Sequence, residues 1–287
     1  MVCGTRVHCM HPTSDIQYVQ LTNDYSQRIW PKSKQSMVLK GAIRDRIHAK
    51  QFLDRFMPGI RVEEINNALC QSIVRHVARV CPPLVVAYFQ GHSGDDTSLL
   101  RYITGDRNED STLEGFTAEI ITDFCNSGNI HRLRFRLIVL PGGGSYWRET
   151  QEWSHDNAVN PKYRITSPMV HISASLDSQS AYETGERGGF LTDSLAKAPS
   201  KILPEFLSHL RQGVGHNLKD AKVHPRRPLD QSAAQLPQIY CTCKLVSRFV
   251  KHALTRKMTP FVPAAARRPR DFLKDLFWNA QTVLVSF

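Results

Sequence analysis

The chain has 287 residues, 41% hydrophobic, 22% charged and 9% aromatic, a balance that suits one large folded domain or two small ones. Its 37 Lys and Arg against 26 Asp and Glu give a net charge of +11, which raises nucleic acid as a partner. The basic residues are scattered, however, and their densest groups, Arg226 and Arg227 beside His224, and Arg267, Arg268 and Arg270, do not alternate with aromatics as a base-stacking surface would, so nucleic-acid binding is not expected.

No run approaches the ~20 apolar residues of a membrane span, and residues 1–10 lack the apolar core of a secretory signal. Seven cysteines without framework spacing point to a reducing compartment, the cytoplasm or the nucleus. Residues 1–36 show no periodicity and read as an irregular N-terminal segment. Ile43, Ile47, Phe52, Leu53 and Phe56 recur at helical offsets and end at Pro58-Gly59, predicting an amphipathic helix over 43–56. A second helix is expected over 62–80, with Ile65, Leu69, Ile73 and Val77 on one face and Pro82-Pro83 beyond it.

Three short apolar, β-branched runs then read as strands buried on both faces: 84–89, 118–124 and 169–174. Between the second and third, 141–167 holds Gly142, Gly143 and Gly144 and several polar residues, and reads as a long connection. After Gly188-Gly189, the spacing of Phe190, Leu191, Leu195 and Ala196 predicts a further helix. Strands alternating with helices imply an α/β sandwich around a largely parallel sheet, whose ligands gather at the carboxyl ends of the strands. Beyond Lys244 the composition shifts to Arg, Pro and Ala, marking 245–287 as an appendage.

His92 and Cys125 each follow a predicted strand, which puts both at one sheet edge if the strands are neighbours. An imidazole beside a thiol can generate a thiolate nucleophile, and Gly91, Gly94 and Gly128 let backbone N–H groups approach an oxyanion. On their own, such residues are better described as a buried free thiol and an unrelated surface imidazole. Cys241-Thr242-Cys243 is too tight for a structural zinc site and lacks a second pair, and the cluster Cys3, His8, Cys9 and His11 is no firmer a metal site.

Four segments in order sharpen this reading. Leu39-Lys40-Gly41-Ala42-Ile43-Arg44-Asp45, Tyr88-Phe89-Gln90-Gly91-His92-Ser93-Gly94, Asp123-Phe124-Cys125-Asn126-Ser127-Gly128, and Ile172 to Gln179 with Gly188-Gly189-Phe190-Leu191-Thr192 resemble the successive boxes of the metacaspases, the caspase-like cysteine peptidases of fungi, plants and protists. Gln235-Leu236-Pro237-Gln238 resembles the family's closing strand. The resemblance implies a caspase-like three-layer sandwich over 37–244, with a large-subunit part at 37–147, a linker at 148–166 and a small-subunit part at 167–244.

It further implies a monomeric cysteine endopeptidase that cleaves protein or peptide substrates after Arg or Lys. His92 and Cys125 would form the dyad, Gly94 and Cys125 would supply oxyanion N–H groups, and Asp45, Asp123, Gln90 and Ser173 would line the substrate pocket. Two carboxylates beside a thiol favour a cationic side chain on chemical grounds as well. Arg148, Lys162 and Arg164 are candidate self-processing sites, and Ser175 is taken as a loop residue rather than a nucleophile.

Departures from the family pattern point the other way. Ala42 stands where the family has Cys, Gln90 where it has Ser, and Asn126 where it has His. Calcium is the family's cofactor, but the acidic run Asp106, Glu109, Asp110 and Glu114 does not match its calcium loop, and Arg132 falls at a ligand position. The stretch 16–21, nearest to the family's first strand, alternates instead of running apolar. These features favour an alternative, a catalytically inactive interaction protein built on the same fold.

Overall fold

A computed structural model of the chain describes residues 17–26, 38–56, 61–66, 85–96, 99–103, 118–153, 169–199, 202–226 and 228–244. In chain order these form β1 (Gln17–Thr22), α1 (Ala42–Phe56), β2 (Arg61–Asn66), β3 (Val85–Gln90), β4 (His92–Asp96), β5 (Leu99–Ile103), β6 (Ala118–Asp123), β7 (Phe135–Val139), β8 (Ser145–Glu149) and β9 (Met169–Ser173). They continue with β10 (Glu183–Thr184), β11 (Gly188–Gly189), α2 (Phe190–Lys197), α3 (Leu203–Lys222) and β12 (Gln238–Cys241).

Eight strands make one sheet in the order β2-β1-β3-β6-β9-β12-β7-β8, and β4-β5 and β10-β11 are separate hairpins. The strands from β2 to β9 are mutually parallel, and β12, β7 and β8 pair antiparallel at the far end. The expected α/β fold around a mostly parallel sheet is what the chain adopts.

Side chains alternate across the strands as a twofold period requires. Tyr18, Val86, Tyr88, Ile121, Val170, Ile172 and Ile239 face one side, where Phe52, Leu53 and Phe56 of α1, Leu191 and Leu195 of α2, and Phe206, Leu207 and Leu210 of α3 pack on them. Val19, Leu21, Ala87, Phe89, Met169 and Tyr240 face the other side, against Phe124 and Leu133. No helix among the described residues is long and apolar enough to cross a membrane.

Several expectations change here. Residues 17–22, inside the stretch read as irregular, are β1, a strand flanked by β2 and β3, with Tyr18, Val19 and Leu21 each at most 4% exposed. Its alternation over 16–21 argues against a core strand because Gln20 is polar, yet Gln20 is buried, as is Thr22 after it, and the Tyr18 hydroxyl donates to Gln20 Oε1 at 3.3 Å. The helix expected over 62–80 is strand β2 through residue 66, and the remainder lies outside the described residues.

The connection read over 141–167 begins with β8, which forms a hairpin with β7 across a glycine turn where Gly142 and Gly143 take φ of +101° and +93°. Arg148 is therefore a strand residue, while Lys162 and Arg164, like the appendage at 245–287, lie outside the described residues. Helix α3 was not anticipated, although Phe206, Leu207, Leu210, Val214 and Leu218 recur at helical offsets. Pro204 opens it, and Lys219 and Lys222 sit in its last turn, where cations suit the helix dipole.

Candidate active site

The sheet register brings the two boxes together. Gln90 and Asp123 are direct partners at the carboxyl ends of β3 and β6, so His92 and Cys125, each two residues farther on, leave the sheet at the same edge. They line one pocket with Asp45, Gln90 and Asp123. Its volume of about 60 Å³ holds a few water molecules.

Cys125 sits on a loop fixed from several directions. Its Sγ lies 3.4 Å from the Ala181 nitrogen and 3.7 Å from the Ala181 oxygen. Asn126 takes a left-handed conformation, φ +54°, which Asn tolerates better than most residues, and donates its N–H to Gln179 O at 2.7 Å. Behind it, the Ser127 hydroxyl accepts from the Ala174 and Ser175 N–H groups at 3.1 and 3.3 Å, tying the Cys125 loop to the end of β9. Gly128 lies against the Leu176–Asp177 backbone so closely that a Cβ would collide with it. The Asn-Ser-Gly sequence is thus what lets this loop pack.

The two aspartates reach the pocket from different elements. Asp45 projects from the first turn of α1 and is fully buried; its Oδ1 accepts the Gly189 N–H at 2.6 Å, and among the described residues its Oδ2 has no hydrogen-bond partner. Asp123 accepts the Thr192 N–H at 3.1 Å and the Thr192 hydroxyl at 2.5 Å. Because the single Thr192 hydroxyl proton goes to Asp123, the Tyr88 hydroxyl, 2.7 Å from Thr192 Oγ1, is the donor in that pair. Burial holds the Tyr88 phenol well above its ordinary value and keeps it a donor.

Burial, and then the neighbouring Asp123, push Asp45 well above the usual carboxylate range, with the Gly189 N–H opposing. Burial pushes Asp123 up to about 6 against the lowering pull of its Thr192 hydrogen bonds. A third carboxylate, Glu183 of β10, also lines the pocket; burial raises it, and the Gly41 N–H, which donates to it at 3.3 Å, pulls it down. Among the described residues no Lys or Arg pairs with any of the three. Two buried acids and a half-buried third without a cation are a costly arrangement that a cationic ligand would relieve.

Ser173 does not join them. It pairs with Thr122, not Asp123, and so faces the opposite side of the sheet, where its hydroxyl donates to Ser175 O at 3.2 Å. Ser175 is buried and bonded beneath the Cys125 loop, its hydroxyl 3.4 Å from Phe124 O. Gly94 is a β4 residue opposite Arg101.

Sequence reasoning missed Glu183 and Tyr25. Glu183 carried only the weak signal of an acid shortly before Gly188-Gly189. Tyr25 follows β1, and its hydroxyl accepts the His92 N–H at 3.0 Å. No group of three or more His, Cys, Asp or Glu among the described residues could hold a metal ion. The acidic run from Asp106 to Glu114 lies outside the described residues.

No family model matches the chain, and no curated protein matches it. Among solved structures it is similar to caspase-1 from Spodoptera frugiperda, with a TM-score of 0.44 and 15% identity over 78% of this chain and 85% of that one. It is similar also to protein GSU0716 from Geobacter sulfurreducens, with a TM-score of 0.45 and 14% identity over 79% of this chain and 93% of that one.

Proposed function

We propose that the chain is a cysteine endopeptidase of the caspase-like type that cleaves after Arg or Lys. The observation that carries this reading is the single pocket shared by His92, Cys125, Asp45 and Asp123. His92 takes the Cys125 proton, and the thiolate sulfur attacks the scissile carbonyl carbon. The resulting oxyanion is stabilised by backbone N–H groups, for which Cys125 and Gly94 are the candidates. The tetrahedral species collapses as the C–N bond breaks and His92 returns the proton to the leaving amine; water then hydrolyses the thioester. Asp45, Asp123 and Glu183 receive the cationic side chain through charge-assisted hydrogen bonds.

The test is hydrolysis of fluorogenic peptides carrying Arg, Lys or Asp at the cleaved position. Wild type should prefer Arg and Lys, Cys125→Ala should be inactive, and Asp123→Ala should lose most of kcat/KM. A Cys125→Ala protein as fast as wild type would rule out the nucleophile.

A second reading has its own support. Asp45 and Asp123 already accept bonds from Gly189 and Thr192 and so serve the packing of α2 as well as a ligand. On that reading the protein is a non-catalytic binding module, and a folded wild type would cleave none of the three substrates.

A further inference from the structure

From the contacts on either side of the histidine, we infer that Tyr25 and Ser93 are positioning residues that clamp His92 between the loop after β1 and the nucleophile loop. This rests on the His92/Cys125 dyad proposed above.

On one side, the Tyr25 hydroxyl accepts the His92 N–H at 3.0 Å, and the two rings lie with centroids 5.3 Å apart at 33°. Tyr25 is 2% exposed and takes φ of +54°, a left-handed conformation that is an outlier for a bulky side chain and persists only where the surroundings enforce it. Part of that enforcement is visible next to it. Asn23 donates to Gln90 O at 3.1 Å, and Leu39 donates to Asp24 O at 3.1 Å, so the segment is tied both to the end of β3 and to the chain entering α1. The strained residue is therefore fixed on the strand that leads into His92.

On the other side, the Ser93 hydroxyl donates to Cys125 O at 2.6 Å, a short bond from the residue next to the imidazole to the backbone of the nucleophile itself. This hydroxyl links the histidine and cysteine loops directly. Beyond Gln90 the chain bends at Gly91 and passes from the main sheet into β4, where His92 pairs with Ile103 of β5, so the ladder holding His92 belongs to the separate hairpin and not to the sheet that carries Cys125. Tyr25 and Ser93 tie that hairpin to the main sheet, one gripping the His92 amide and ring and the other setting its spacing to Cys125. Positioning of this kind raises the fraction of time the imidazole can reach the thiol, and so acts on kcat rather than on substrate affinity.

The experiment reads Cys125 with and without substrate: its alkylation rate by iodoacetamide at pH 7, quantified at that residue by mass spectrometry, and kcat and KM on an Arg peptide. The proteins are wild type, His92→Ala, Tyr25→Phe, Ser93→Ala, and the matched pair Ser93→Thr and Ser93→Val, each checked by thermal melting. His92→Ala should slow alkylation by at least about tenfold. Tyr25→Phe and Ser93→Ala should each slow alkylation and lower kcat by about five- to tenfold, the scale of one lost hydrogen bond, with KM within about twofold of wild type. Ser93→Thr should recover most of the rate and Ser93→Val should not; that pair isolates the hydroxyl at matched shape if Ser93→Ala fails to fold. Wild-type rates in Tyr25→Phe and Ser93→Ala, beside a slowed His92→Ala, would overturn the clamp and leave the dyad standing. Equal alkylation of wild type and His92→Ala would overturn the dyad, and the clamp with it.

Discussion

Asp123 shows what the pocket demands of a single residue. Its carboxyl is raised from an ordinary 3.8 to about 6, chiefly by burial, so the native state holds the proton more tightly than the unfolded chain does. The penalty is therefore absent below about pH 4, grows between the two values and is complete above about pH 6. Asp123→Asn removes the charge while its side-chain oxygen can still accept the Thr192 bonds. Chemical denaturation should find it more stable than wild type by about 1–3 kcal/mol at pH 8 and little different at pH 4. Cleavage after Arg should be lost with the charge, and wild-type kcat/KM for an Arg peptide should climb as pH rises through about 6. Increased stability with lost activity marks a functional carboxylate; a destabilised variant at pH 8 would make Asp123 a structural acid. Parity along a strand also limits what is legible in a sequence: Asp123 lines the pocket with Cys125, whereas Ser173, in register with Thr122, lies on the opposite face, and its motif does not say which face of β9 it occupies.

At the scale of elements, the pocket is made where β11 runs into α2. Gly188 takes φ of +78° and packs on Asp45, while Gly189 lies against Asp123 so tightly that a Cβ would meet its carboxylate. The Gly189 backbone itself, φ −64° and ψ 136°, is open to alanine, so the obstacle there is steric alone. Gly189→Ala should lower stability by about 1–3 kcal/mol and displace Asp123, reducing Arg cleavage. Gly215→Ala, in α3 with nothing within 4 Å, should instead stabilise by about 0.5–1 kcal/mol and leave activity unchanged. Thermal melting and peptide kinetics on the pair check both signs. The elements α1, β3, β6, β9 and α2 were legible in the sequence, although the face of α1 was read only in part, since Ile43 and Ile47 are exposed while Asp45 is buried. Strand β2 was not, because Ile65 also falls in step with Leu69 and Ile73 at helical spacing, and β1 was not, because buried Gln20 and Thr22 break its apolar run.

For the molecule as a whole, β1 is the consequence that sequence reading underestimated. It lies between β2 and β3 and contributes to both faces of the core through Tyr18, Val19 and Leu21. A chain begun at residue 37, where the motifs alone would place the domain, leaves the backbone edge of β3 unpaired and strips β2 of its neighbour. It should lose cooperative unfolding or precipitate; a sharp melt near that of the full chain would contradict the topology.

The same sheet carries the proposed chemistry, since parallel β3 and β6 in register are what bring His92 and Cys125 to one edge and into one pocket with three carboxylates. Covalent labelling with matched peptide electrophiles bearing Arg or Asp at the recognition position, read residue by residue in the full chain, tests that arrangement most directly. The account predicts that the Arg reagent modifies Cys125, that the Asp reagent does not, and that Asp123→Asn abolishes the preference. Modification of another cysteine, or equal reaction of Cys125 with both reagents, would contradict it.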